Sequence, residues 1–282
     1  MFPDNPSLIQ TGPSSPSSSL WSKPPTPLVL IHDGGGTIFS YYCLNELDRP
    51  LHGISNPHYD SGEPFPGGIP EMASLYIEYI KSVVPRGNLI IGGWSLGGLL
   101  SLEVASQLAK EEGDGSRLNL LGIVMIDSVC PLAWRRGGSE GFLKIIRNGA
   151  AWGPHTKEET KRKVTRCFSE SSRMVGEWEL PSWEGRKPPP VILLRAKDKV
   201  PVPGEVEGTV SRVDVCREDK HLGWDRYRKG LITKVVDIPG HHFNIFSEME
   251  NVDVVTEEIG RACGELEGWH MRRFVSWGEE KR

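Results

Sequence analysis

The sequence predicts an α/β domain, a mostly parallel sheet with helices on both faces. Three observations point there. Short, almost wholly apolar runs recur along the chain, as in strands buried on both sides. Stretches with apolar residues at helical spacing lie between them. Glycine clusters follow several of the runs and mark where strand gives way to turn. The 282 residues leave room for one large domain or two small ones.

Residues 1–26 are rich in Pro and Ser, a composition that buries too little apolar surface to order itself, so a disordered tail or linker is expected there. Residues 28–31 (Leu-Val-Leu-Ile) form the first strand candidate. Residues 70–84 place Met72, Leu75, Tyr76, Tyr79, Ile80 and Val83 on one helical face. Residues 89–91 read as a strand ended by Gly92 and Gly93. From Ser95 a helix carries Leu99, Leu102, Val104, Ala105 and Leu108 until Gly113 stops it. Runs at 120–126, 191–194 and 235–238 supply further strands. A last helical pattern covers 252–269, so the domain is expected over 27–270 with a tail at 271–282. Residues 131–187 interrupt the alternation: they show no strand pattern and hold Trp134, Trp152, Trp178 and Trp183. Such an insertion between core strands predicts a helical lid over a site.

Composition excludes several classes. With 37 acidic residues against 33 basic, the net charge is -4, which gives no electrostatic reason to bind nucleic acid. There is no polybasic membrane patch, and no apolar run approaches the ~20 residues of a membrane span. Cys43, Cys130, Cys167, Cys216 and Cys263 are odd in number, widely spaced and without a C-x-x-C pair. They read as free thiols of a reducing compartment rather than as a disulfide framework or zinc site. The first residues lack the charged and apolar regions of a secretory leader, so a cytoplasmic location is expected. No metal or bound cofactor is implied.

The chemistry concentrates in Gly93-Trp94-Ser95-Leu96-Gly97-Gly98. This is G-x-S-x-G between an apolar strand and a helix, the nucleophile elbow of the α/β-hydrolase fold. Small residues on either side let strand and helix approach, and the helix N-terminus aims backbone N–H groups at a developing oxyanion. His32-Asp33-Gly34-Gly35-Gly36-Thr37 follows the first strand and matches the glycine-rich oxyanion loop of that fold. The expected donors are the amides of Leu96 and Gly34, with His32 and Asp33 shaping the loop. A phosphate loop is excluded, because no Lys-Ser/Thr follows and no G-x-G-x-x-G is complete. The base must follow the last strand, where His241 and His242 compete on equal terms. The acid is Asp127, ending the 120–126 run, or Asp198, beyond the 191–194 run. Spacing does not separate them, and general hydrolase topology slightly favours Asp198.

These motifs, with Met125-Ile126-Asp127-Ser128-Val129-Cys130-Pro131 and Gly240-His241-His242-Phe243, resemble the thioesterase domains of polyketide synthases and nonribosomal peptide synthetases. In particular the chain is similar to stand-alone fungal thioesterases of secondary-metabolite and toxin clusters, and the resemblance covers about residues 27–265. The resemblance implies Ser95 as nucleophile, His242 before Phe as base, and Asp127 as acid, with Asp198 as the alternative used by some stand-alone members. The polar insert at 111–117 lengthens the interval from Ser95 to Asp127. The resemblance also implies an acyl chain on a carrier protein's phosphopantetheine as substrate, and the 1–26 segment is similar to the linker that follows a carrier domain. An oxygen-ester hydrolase with the same triad, or an idle fold used for binding, are the competing classes.

Overall fold

A computed structural model describes residues 4–13, 24–111, 118–135, 144–146, 152, 155–202 and 209–279. Seven strands form the main sheet: β1 (Ser7–Thr11), β2 (Leu28–Ile31), β3 (Pro50–Ile54), β4 (Gly87–Trp94), β5 (Leu118–Ile126), β7 (Val191–Asp198) and β9 (Ile232–His241). Their order is β1-β3-β2-β4-β5-β7-β9, parallel throughout except for β1. Two short strands, β6 (Lys144–Ile146) and β8 (Thr209–Ser211), pair in parallel as a separate ribbon.

Successive strand residues face opposite layers, as the pleat requires. Val29, Ile31, Ile91, Ile123, Met125 and Leu193 meet α1 (Gly68–Val83) and α2 (Leu96–Glu111). Leu28, Leu30, Ile90, Val124, Ile192 and Leu194 meet Val255, Ile259, Cys263 and Leu266 of α5 (Met249–Glu279). Both faces are therefore apolar, which is why the strands read as continuous runs. The elbow after β4 sits at the middle of the sheet, on the side where the C-terminal ends of β2, β4, β5, β7 and β9 lie.

Three expectations need correction. The tail expected over 1–26 is ordered at 4–13. There β1 pairs antiparallel with β3, Ile9 packs on the α5-side core, and Asn5 exchanges two hydrogen bonds with the Ser55 backbone at 2.8 and 3.1 Å. The tail expected over 271–282 continues α5 to Glu279. The apolar period ends near Trp269, but no Pro follows to stop the helix. The lid region 131–187, read without strands, contains β6 beside α3 (Leu132–Arg135) and the 20-residue α4 (Glu158–Glu177). Most of the 111–117 insert and the side chain of Trp134 lie outside the described residues.

The tryptophans that follow α4 belong to the body. Trp178 is 2% exposed and donates its Nε1–H to Glu103 Oε2 at 2.9 Å, while Trp183 donates to Tyr227 Oη at 2.8 Å. Trp178→Phe keeps the ring packing and leaves the Glu103 acceptor buried with one fewer partner. Urea denaturation is expected to show a loss of about 1–3 kcal/mol, with ester turnover by the folded protein unchanged.

Candidate active site

Ser95 sits at φ 56°, in the left-handed region that a non-glycine residue rarely occupies. The turn is held by Ser95 N–H donating to Ile126 O at 2.9 Å and by Ser128 Oγ donating to Ser95 O at 2.8 Å. Close approach explains the flanking glycines. A Cβ at Gly93 would lie 2.5 Å from Ile31 O, and one at Gly97 would lie 2.2 Å from the same carbonyl. Strand, turn and helix can cross only without those side chains.

His242 follows β9, where Gly240 turns at φ +81° and Asn244 Oδ1 accepts His241 N–H at 2.6 Å. The turn lays the His242 ring between Trp94 and Phe243, at centroid distances of 5.7 and 4.8 Å. Its Nε2 is 3.0 Å from Ser95 Oγ, and its Nδ1 is 2.8 Å from Asp127 Oδ2. His241 is turned away, its Nδ1 accepting Phe243 N–H at 3.2 Å. Asp127, at φ 46°, caps the end of β5 and has no exposed surface. Asp198 is exposed at the end of β7. The structure thus joins Ser95, His242 and Asp127 in one line and leaves His241 and Asp198 outside it.

Burial alone would raise the Asp127 pKa. Hydrogen bonds from His242 and from Arg217, together with the Arg217 charge, outweigh it and hold the carboxyl below the usual range. Asp127 is therefore charged whenever His242 needs a partner. Since a carboxylate only accepts, Nδ1 carries the proton and Nε2 of the neutral ring faces the Ser95 hydroxyl as acceptor.

The glycine loop is braced from below and above. His32 is buried and its pKa is lowered to about 4 by that burial, so the ring is neutral. Nδ1–H donates to Asp33 O and Nε2 accepts from Tyr76 Oη, both at 2.6 Å. Asp33 is pushed up to about 6 by burial, against the Gly35 amide, which donates to its Oδ1 at 3.0 Å. From above, Ser171 Oγ on α4 donates to Gly34 O at 3.1 Å, and a Cβ at Gly34 would lie 2.9 Å from the Phe168 ring. The lid helix thus rests on the loop.

Ser95, His242, Leu96 and Gly34 open together onto a cavity of about 280 Å³ under α4. Its apolar wall is Leu99, Val129, Phe168, Val175, Val213 and Phe243. Thr165, Ser169 and Ser172, one helical face of α4, add hydroxyls, as does Ser211 of β8. The described tryptophans are elsewhere: Trp178 and Trp183 are in the core, and Trp152 is 38% exposed.

The thioesterase domain family matches residues 26–174. The chain belongs to that family. Thioesterase frbE of Dothideomycetidae sp. (strain 11243) is 37% identical over 270 residues, covering 93% of this chain and 96% of that protein. Probable thioesterase gloN of Glarea lozoyensis is 34% identical, covering 86% and 91%. The same fold is seen in crystal structures of the NocB thioesterase domain from the Nocardicin cluster (TM-score 0.57, 24% identity, 85% of this chain and 94% of that one) and of ClbQ from the colibactin NRPS/PKS pathway (TM-score 0.60, 14% identity, 86% and 98%). As a thioesterase, the chain is a thioester hydrolase.

Arg217 and Asp214 of this thioesterase, which stand behind Asp127, carried no sequence signal: neither lies in a motif or on a periodic face. The two candidate acids differ in a way that kinetics can read. Asp127→Asn is expected to lower kcat by roughly 10⁴, because Asn would leave the imidazole in the wrong tautomer. Asp198→Asn is expected to leave kcat near that of the parent chain, measured on one thioester for both variants.

Proposed function

We propose that this thioesterase releases an acyl, polyketide or peptidyl chain from the phosphopantetheine thioester of a carrier protein. The observation that carries the reading is the line Ser95–His242–Asp127, at 3.0 and 2.8 Å, opening onto a cavity with Leu96 and Gly34 at its mouth. Solved domains of the same fold come from the Nocardicin cluster and the colibactin NRPS/PKS pathway. Thioesterase domains of such assembly lines take chains from carriers. None of the five cysteines is in a disulfide, in keeping with work in a reducing cytoplasm.

The steps follow from the geometry. Ser95 Oγ attacks the thioester carbonyl as its proton passes to His242 Nε2. The amides of Leu96 and Gly34 meet the oxyanion, and the N-terminus of α2 adds its dipole. Asp127 stabilises the imidazolium. The C–S bond then breaks, the thiolate takes the proton from His242, and the acyl group stays on Ser95. Water, or a hydroxyl or amine of the chain itself, gives its proton to His242 and attacks the acyl-enzyme. Ser95 is regenerated and an acid or a ring is released.

Ser95→Ala is expected to fold normally and to lose turnover by a factor on the order of 10⁶, measured on an acyl thioester. Activity within about tenfold of the parent would remove Ser95 from the reaction, given that expected drop. Comparing kcat/KM for that thioester and the matching oxygen ester tests the substrate class. A preference for the thioester supports the proposal, and a preference for the oxygen ester makes the chain a carboxylesterase.

A further inference from the structure

We infer that Arg217 is a positioning residue of this site: its guanidinium fixes the Asp127 carboxylate, and through it the His242 ring, while its charge tempers how strongly that ring holds a proton. The inference rests on the reading that Ser95, His242 and Asp127 react together.

Every N–H of Arg217 has an acceptor. Nε–H donates to Asp214 Oδ1 at 2.9 Å. Nη1 donates to Asp127 Oδ1 at 2.5 Å and to Ala196 O at 2.9 Å. Nη2 donates to Asp127 Oδ2 at 2.9 Å and to Val213 O at 3.2 Å. That accounts for all five donors of a guanidinium. The carboxylate is equally complete. Asp127 Oδ1 also accepts Ala196 N–H at 2.9 Å, and Oδ2 also accepts from His242 Nδ1 at 2.8 Å. Its four acceptor positions are filled, so rotating the carboxylate breaks at least one bond to a buried partner. Asp214 Oδ2 accepts Val200 N–H at 2.7 Å, which anchors the far side.

Burial separates this from an ordinary ion pair. The Arg217 side chain is 3% exposed and that of Asp127 is 0%. Exposed pairs hold little, because water competes for both partners and the side chains remain free to move. A dry, two-pronged contact fixes a plane as well as a distance. A lysine at this position would supply one nitrogen with three donors and could not span both Asp127 oxygens and Asp214. Arg217 also comes from the segment that walls the cavity with Ser211 and Val213, so one stretch of chain positions both the acyl pocket and the acid.

The charges give the inference its test. Asp127, Asp214 and Arg217 together present a net charge of −1 to the imidazolium that forms during reaction. Removing Arg217 leaves two buried carboxylates, which hold the proton on His242 more tightly. Neutralising Asp214 leaves no net charge, which holds it less tightly. Asp33 and His241 also face His242 electrostatically, and both stay intact in every variant, so their effect is common to all.

The experiment uses the full chain with Arg217→Gln, Arg217→Lys and Asp214→Asn. Its readouts are the melting temperature and the rate of covalent labelling by a fluorophosphonate between about pH 5 and 9, where imidazole titrates. Labelling needs Ser95 and its base but no particular acyl chain, so failure of the thioester reading would leave this readout intact. Arg217→Gln is expected to label about 10–100-fold more slowly, by analogy with the outer-shell groups that orient metal-bound imidazoles. Its acid limb is expected to move to higher pH, and that of Asp214→Asn to lower pH. Arg217→Lys keeps the charge, so it is expected to label slowly with the limb unmoved. A purely structural role would lower the melting temperature in all three while leaving plateau rate and limb at parent values, and that result overturns the inference. If Arg217→Gln does not fold, the other two decide. A parental plateau in Arg217→Lys together with an unmoved limb in Asp214→Asn overturns it equally.

Discussion

Asp127 has no exposed surface, and a carboxylate so placed stays ionised only where donors meet its oxygens. Four donors do so: the Ala196 amide, two guanidinium nitrogens of Arg217, and His242. Much of the site depends on that arrangement. The His242 tautomer follows from an acceptor that is always charged. The orientation of Ser95 follows from His242 and from the strained elbow. The elbow in turn depends on the Ile31 carbonyl passing where a side chain at Gly93 or Gly97 would collide. A site assembled this way has its donors and acceptors in place before substrate arrives, which is what differential stabilisation of a transition state needs.

What the sequence revealed divides along physical lines. The strands at β2, β4, β5, β7 and β9 were legible because burial on both faces leaves unbroken apolar runs, and α1 and α2 because their apolar residues recur at helical spacing. The elbow was legible because chemistry and sterics together admit few residues there. Strand β3 was not, since Pro50-Leu51-His52-Gly53-Ile54 opens with proline and has a central glycine, and its pairing partners supply what local preference lacks. Strand β1 was hidden beside a Pro/Ser tract and owes its order to an edge position and to Ile9. Helix α4 buries a stripe that is not wholly apolar, Cys167 and Ser171 beside Met174 and Val175, so no continuous apolar face marks it in the sequence.

The choice of acid marks the boundary more sharply. Asp127 and Asp198 both follow apolar strands, so pattern alone left them tied. Only the resemblance to carrier-linked thioesterases favoured Asp127. The structure shows the physical difference: Asp127 is enclosed by donors, whereas Asp198 points to water. Arg217 was invisible for a related reason. Its contact with Asp127 spans 90 positions, and no periodicity or short motif encodes such a contact. The lid is a similar case. The described Trp152, Trp178 and Trp183 do not line the cavity, whose wall mixes apolar residues with the hydroxyls of Thr165, Ser169, Ser172 and Ser211.

In the proposed mechanism turnover passes through Ser95. Peptide mass mapping of the protein labelled to completion with a fluorophosphonate, paired with thioester turnover of the same sample, tests it directly. A single adduct on the peptide containing Ser95 is expected, with loss of turnover in proportion to labelling. An adduct confined to another residue, or a Ser95-labelled chain that still hydrolyses thioesters, would contradict it.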